Sequence, residues 1–164
     1  MTFSLGPRSV ANLAGLHPGL LGIVHGAIVS TSVDFGITGK AVRTAAEQHK
    51  LFLQGVTQKD GYKSKSNHQP KEDGFGHAVD LTPFVGGKYI VTEDAWDYYP
   101  AIASGMSLSA KALGLAHHLK WGCNWLETMD RYGSTIADMK AAMERYKVQH
   151  PGKDWLDGPH FEFV

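Results

Sequence analysis

The stretch Ser64-Lys65-Ser66-Asn67-His68-Gln69-Pro70-Lys71-Glu72-Asp73-Gly74-Phe75-Gly76-His77-Ala78-Val79-Asp80-Leu81 decides how this chain is read. Its first half is polar and broken by Pro70 and Gly74, the composition of a loop. From Gly76 to Thr82 the pattern turns to that of a strand, which Pro83 is expected to end. Side chains alternate along a strand, so Ala78 and Asp80 share one face while His77 and Val79 share the other. His77 therefore points away from Asp80. His68, arriving from the loop, is the imidazole better placed to meet that carboxylate. A lone histidine in a solvated loop is ordinarily only that. The segment Trp155-Leu156-Asp157-Gly158-Pro159-His160-Phe161-Glu162 changes the weighting, because it adds a third imidazole and a carboxylate three residues before it. Gly158 and Pro159 force a turn between Asp157 and His160.

A catalytic zinc site has three protein ligands and an open fourth position for water. His68, Asp80 and His160 would fill the three, with Asp157 placed over the water. Zinc lowers the pKa of its water to roughly 7, and a neighbouring carboxylate can take the proton and hand it on. Taken alone, Asp157-Gly158-Pro159 reads as a turn whose aspartate bonds its own backbone. Arg43 lies near the start of an expected helix, just after a strand, and has two readings of equal weight, an anion-stabilising guanidinium or a surface ion pair. Trp121, Trp125 and Trp155 read most simply as core, although Trp155 lies close enough to Asp157 to wall a site. Cys123 reads as a buried, inert thiol. Glu162 and His77 are candidates to orient a ligating imidazole from behind.

Composition bounds the rest. A chain of 164 residues is most simply one domain, and 43% apolar with 20% charged residues is ordinary for a globular protein. Sixteen basic and sixteen acidic residues cancel, which argues against an electrostatic nucleic-acid binder. A single cysteine excludes a disulfide framework and a cysteine-based zinc finger. The N-terminus shows no apolar core after a basic segment, so no secretory signal is expected. The longest apolar run, Leu20–Val29, is interrupted by Gly22, His25 and Gly26 and is too short for a membrane span.

In chain order, a short helix is expected over Ser9–Leu16 with Ser9 as its cap, then a helix opened by His17-Pro18 and running to about Ser30. Val33–Gly39 reads as a strand, Lys40–Gln54 as a helix stopped by Gly55, and Val56–Phe75 as a long, Lys-rich loop. After the strand Gly76–Thr82, Lys88–Thr92 is expected to return across Gly86-Gly87 as a hairpin. Asp97–Leu119 shows near-helical spacing, Trp121–Trp125 a short buried strand, and Ser134–Gln149 a helix capped by Ser134 and stopped by Pro151-Gly152. Pro159–Val164 closes the chain as a strand. Helices and strands mixed without βαβ spacing give the expectation α+β, with a small, mainly antiparallel sheet flanked by helices.

Ser66-Asn67-His68, Gly76-His77-Ala78-Val79-Asp80-Leu81 and Asp157-Gly158-Pro159-His160-Phe161-Glu162 resemble the Ser-x-His…Gly-x-Ala-x-Asp and Asp/Glu-x-Pro-His signatures of the zinc D-Ala-D-Ala carboxypeptidase/VanY superfamily. Within it the chain is most similar to phage endolysins of the L-alanyl-D-glutamate peptidase type. Leu5–Arg8, His17-Pro18, Val33-Asp34-Phe35, Arg43-Thr44 with Gln48, Gln54-Gly55, and Trp121-Gly122 with Trp125 fall in the same order. The resemblance implies a hedgehog/D-Ala-D-Ala-peptidase-like fold, with His68, Asp80 and His160 as zinc ligands and Asp157 as catalytic base. It also implies Arg43 near the scissile carbonyl and Ser66 at the substrate. Four features depart from the pattern, the first being Asp157 as base where the superfamily more commonly has Glu, as is seen in the endolysin branch. The eleven residues between His68 and Asp80 are more than is common, so Gln69–Phe75 must bulge out. Cys123-Asn124 stands where Gly-Asp is usual, and residues 130–153 look like an insertion.

The function so implied is zinc-dependent hydrolysis of the L-Ala–D-Glu bond of peptidoglycan stems, leading to host lysis. Residues 1–164 would be a single zinc peptidase domain, with no separate wall-binding module and no stable membrane insertion. The enzyme would be a monomer made in the host cytoplasm that reaches the wall after holin-mediated release. Two alternatives stand beside it: a D,D-carboxypeptidase or dipeptidase trimming D-Ala ends, and a non-catalytic zinc-containing binding domain.

Overall fold

A computed structural model describes residues 2–151 and 155–164. Among them the chain forms five α-helices and seven short strands. The helices are α1 (Pro7–Asn12), α2 (Pro18–Ser30), α3 (Ala45–Leu53), α4 (Tyr99–Ala112) and α5 (Ile136–Gln149). The strands are β1 (Phe35–Gly36), β2 (Ala78–Asp80), β3 (Thr82–Val85), β4 (Lys88–Tyr89), β5 (Leu119–Trp121), β6 (Asn124–Thr128) and β7 (His160–Phe163). They build two antiparallel sheets, ordered β1-β3-β4 and β2-β7-β5-β6. The expectation of an α+β fold with small antiparallel sheets holds.

The core lies between the helices and the four-stranded sheet. Leu20, Ile23, Val24 and Ala27 of α2 meet Ile102, Ala103, Met106 and Ala110 of α4, and Leu119, Trp121 and Phe161 close the sheet side. Each Leu, Ile, Val, Met or Phe among them contributes on the order of 1.5–3 kcal/mol when fully buried. The α2–α4 crossing is close because Gly105 faces Thr31, where a Cβ would stand 2.9 Å from the threonine Cβ. Gly26, which interrupts the apolar run of α2, serves the same approach, since a Cβ there would collide with Ser109.

Several expected boundaries move, each for a local reason. α1 starts at Pro7, which takes the first helical position, and Ser9 is buried inside it, its Oγ accepting from Ile37 N–H at 3.0 Å. α3 starts at Ala45 rather than Lys40, because Thr44 and Glu47 form a reciprocal capping box. Thr135 with Asp138 does the same for α5, so Thr135 and not Ser134 is the cap. Pro83 does not end a strand. It lies in β3 opposite Phe35, and its carbonyl accepts from Ile90 N–H at 2.9 Å. Val33–Gly39 shrinks to the two residues of β1, and the helix expected over Asp97–Leu119 shrinks to α4, followed by a 3-10 turn at Ala116–His118. Trp121–Trp125 is not one strand but the β5–β6 hairpin turning at Gly122-Cys123. In the stretch read as an insertion, α5 buries Met139, Ala142 and Tyr146. Its end at Lys153, and Gly152 of the Pro151-Gly152 stop, lie outside the described residues.

The 56–75 segment has no helix or strand, yet it is held in place from within. Asp60 Oδ1 accepts from the N–H groups of Tyr62, Lys63 and Ser64, and Gly61 takes the left-handed conformation (φ +84°) the turn needs. Two buried glutamines pin it further. Gln48 Nε2 donates to Lys59 O at 3.0 Å, and Gln69 Nε2 to Gly61 O at 2.8 Å. His68 therefore leaves a fixed loop.

Candidate active site

Strand pairing sets two of the site's side chains. In the β2–β7 ladder Asp80 lies directly opposite His160, so both project from one face at the sheet's edge. His68 comes in from the loop, buried, with its Nδ1 2.8 Å from the carbonyl of Ala41. That contact assigns the proton to Nδ1 and leaves the Nε2 lone pair facing the site. His68 Nε2, His160 Nδ1 and Asp80 Oδ1 then form a triangle with edges of 3.4, 3.1 and 3.4 Å. Ligands at 2.0–2.1 Å about a tetrahedral zinc stand roughly 3.3–3.4 Å apart, so this donor set fits the ion.

Each donor is oriented from behind, as metal-binding side chains are. Ala41 O holds His68, and the Arg43 guanidinium donates to Asp80 Oδ2 at 2.9 Å. Glu162 Oε2 lies 3.7 Å from His160 Nε2 and accepts from Asn67 Nδ2 at 2.6 Å. Burial opposes the charged form of Asp80, but His68 and His160 outweigh it and hold the carboxyl well below its usual range. Burial likewise opposes a charged His160. Hydrogen bonds to Asp80 and Glu162 outweigh that and raise its pKa to about 10, so the metal-free site keeps a proton where an ion would bind.

Asp157 lies in the turn before β7, which is stitched to the β5–β6 hairpin. Asp157 N–H donates to Gly122 O, Gly122 N–H to His160 O (both 2.9 Å), and Trp121 Nε1–H to Gly158 O at 2.8 Å. The approach demands glycine at 122, because a Cβ there would run into the Asp157 carbonyl oxygen and lie 3.1 Å from His160 Cβ. Burial raises the Asp157 carboxyl above its ordinary pKa, His160 pulls it back, and Asp80 pushes it up again. A carboxylate so placed has the poise of a general base. Asp157, Arg43, Ser66, His68, Asp80 and His160 all line one open cavity of about 850 Å³.

The sequence reading places Trp125 in the core and gives Trp155 a place in the wall only as a second reading. Trp125 and Trp155 are not core; they face the cavity, with Trp125 Nε1–H donating to Trp155 O at 2.7 Å and its ring 5.2 Å from that of His160. Only Trp121 of the three is fully buried. Arg43 is neither helical nor free, because Asp80 takes one amino group, and Gln48 Oε1 accepts from the other at 3.5 Å. Ser66 Oγ accepts from His68 N–H at 3.3 Å, which shapes the turn and leaves its own proton to donate. His77 stands apart from the triangle, in a second cluster with His17 and Asp73. Cys123 is buried, and burial pushes its thiol pKa far up, as expected of an inert cysteine.

The crystal structure of the Serratia marcescens L-Ala D-Glu endopeptidase ChiX is similar over 98% of this chain and 90% of that chain, with 25% identity and a TM-score of 0.65. No curated protein sequence matches. The family described as phage L-alanyl-D-glutamate peptidase matches residues 1–164. With its signature residues gathered on one cavity and its whole length matched, the chain belongs to the phage L-alanyl-D-glutamate peptidase family.

Proposed function

We propose that this protein is a zinc-dependent endolysin that hydrolyses the L-Ala–D-Glu bond of peptidoglycan stem peptides, with residues 1–164 acting as one catalytic domain. The observation that carries the reading is the His68–Asp80–His160 donor triangle, with edges of 3.1–3.4 Å, on the cavity that Asp157 also lines. When bound, zinc would supply a Lewis acid that polarises the scissile carbonyl and acidifies water. Asp157 takes the proton of the attacking water on its carboxylate and returns it to the leaving D-Glu amine. Arg43 holds Asp80 in its ligating orientation while its guanidinium adds positive charge near the scissile carbonyl. The Ser66 hydroxyl donates to the substrate backbone, and Trp125 and Trp155 wall the groove.

Membership of the phage peptidase family supports a role in lysis. The enzyme would act as a monomer, accumulate in the host cytoplasm and reach the wall when a holin opens the membrane. No helix among the described residues is long and apolar enough to cross a membrane, and the balanced charge favours no nucleic-acid partner. The deciding experiment is mass spectrometry of purified peptidoglycan after digestion, with chelator and then with zinc restored. New L-Ala carboxyl and D-Glu amino termini, lost with chelator and regained with zinc, are expected. Released D-Ala would reassign the chain to carboxypeptidase chemistry, and no cleavage by zinc-loaded protein would overturn the enzymatic reading.

A further inference from the structure

A second cluster of ligating side chains stands outside the cavity. His17, Asp73 and His77 bring one donor atom each within 4.8 Å of the others. They come from three places: the cap of α2, the bulged Gln69–Phe75 loop, and the residue before β2. His77 carries the argument. Its Nδ1 lies 3.1 Å from the carbonyl of Phe163, and its Nε2 lies 2.8 Å from Asp73 Oδ2. A neutral imidazole has one N–H and cannot donate to two acceptors. With the proton on Nδ1, the Nε2 lone pair faces a carboxylate, and that arrangement calls for a cation between them or an extra proton on the ring. His68 shows the same pattern, Nδ1 against Ala41 O and Nε2 toward Asp80. The ring of His17 sits 4.8 Å from that of His77, centroid to centroid, and is stacked on Phe163 at 4.4 Å.

We propose that His17, Asp73 and His77 form a second, lower-affinity site for a borderline divalent transition ion such as zinc, clamping the His68-bearing loop to α2 and the C-terminal strand. Two imidazoles and one carboxylate select such an ion over calcium or magnesium, which take oxygen donors. The affinity is the lower of the two for stated reasons. Asp73 is exposed. His17 Nδ1 also accepts from Gly19 N–H at 3.2 Å, a cap lost if its proton moves to Nδ1 so that Nε2 can ligate. The bulge that lengthens the His68–Asp80 spacing thereby gains a purpose, since it supplies Asp73.

The test is equilibrium dialysis of the chelator-stripped full chain against zinc, counting bound metal. Two ions per wild-type chain are expected, the second bound more weakly, and one in His77→Ala or His17→Ala. His68→Ala should keep the weaker ion, with cobalt(II) bands in the visible that vanish in His68→Ala/His77→Ala. Should His77→Ala unfold, Asp73→Asn keeps the Phe163 bond and serves instead. No ion in His68→Ala beside one in the wild type, or two retained in both His77→Ala and Asp73→Asn, would overturn the proposal. Because His68→Ala isolates the second site, its loss and the loss of the catalytic site are read separately.

Discussion

The two His/Asp/His clusters have the same residue types and differ in everything around them. In His68–Asp80–His160 both imidazoles are buried, every donor is held from behind, and the open side faces a cavity with a further carboxylate. In His17–Asp73–His77 the carboxylate is exposed and an aromatic ring covers His17. The difference teaches that ligand identity does not make a catalytic centre. What does is an open coordination side, a low-dielectric wall and a base poised by burial.

The comparison breaks most visibly at Asp157. If the base is what separates the clusters, Asp157→Asn lowers kcat by about 10²–10⁴-fold while bound metal stays unchanged, checked by wall-hydrolysis kinetics alongside metal analysis. Loss of metal in that variant would instead make Asp157 a ligand. The support behind the donors comes next. Glu162→Gln, which weakens the hold on His160 Nε2, should cost roughly 10–100-fold in zinc affinity, read by competition with a chelating dye.

A smaller, graded effect concerns protons. His160 in the metal-free protein keeps its proton up to about pH 10, so an ion must expel it. Zinc affinity should therefore rise with pH across the neutral range, with close to one proton released from this residue per ion. Calorimetry in buffers of different ionisation enthalpy measures that release. The same raised pKa gives the metal-free fold stability that is fully present below about pH 6.5 and lost as pH climbs through about 10. The least effect is expected at the outer cluster. In metal-free protein His77→Ala removes a half-exposed contact with Asp73, and the expected fall in Tm is small, seen by calorimetry with chelator present.

The residues of the candidate site were legible because their chemistry is local in type even where it is distant in space. The parity of Gly76–Asp80 separated His77 from Asp80, and His77 indeed turns to the other cluster. The turn at Gly158-Pro159 places Asp157 and His160 on one cavity. What misled were helix starts, where Thr44 and Thr135 open capping boxes that apolar spacing alone runs past. The tryptophans misled as well, because an indole suits a core and a groove wall equally. Glu162 was only a candidate until its register opposite Ala78 set it behind His160.

By themselves, residue type and short-range spacing determined the α+β class, the candidate metal-ligand set and the family resemblance, because alternation, turn chemistry and donor identity act over a few residues. Tertiary structure alone decided that Asp80 faces His160, that Arg43 is spent on Asp80, and that His17 meets Asp73 and His77. Those outcomes depend on strand register and on the parallel bridge from Leu16 to Gly76, which brings together segments dozens of residues apart. Pairings of that kind are selected by burial of the whole core, which no local pattern encodes.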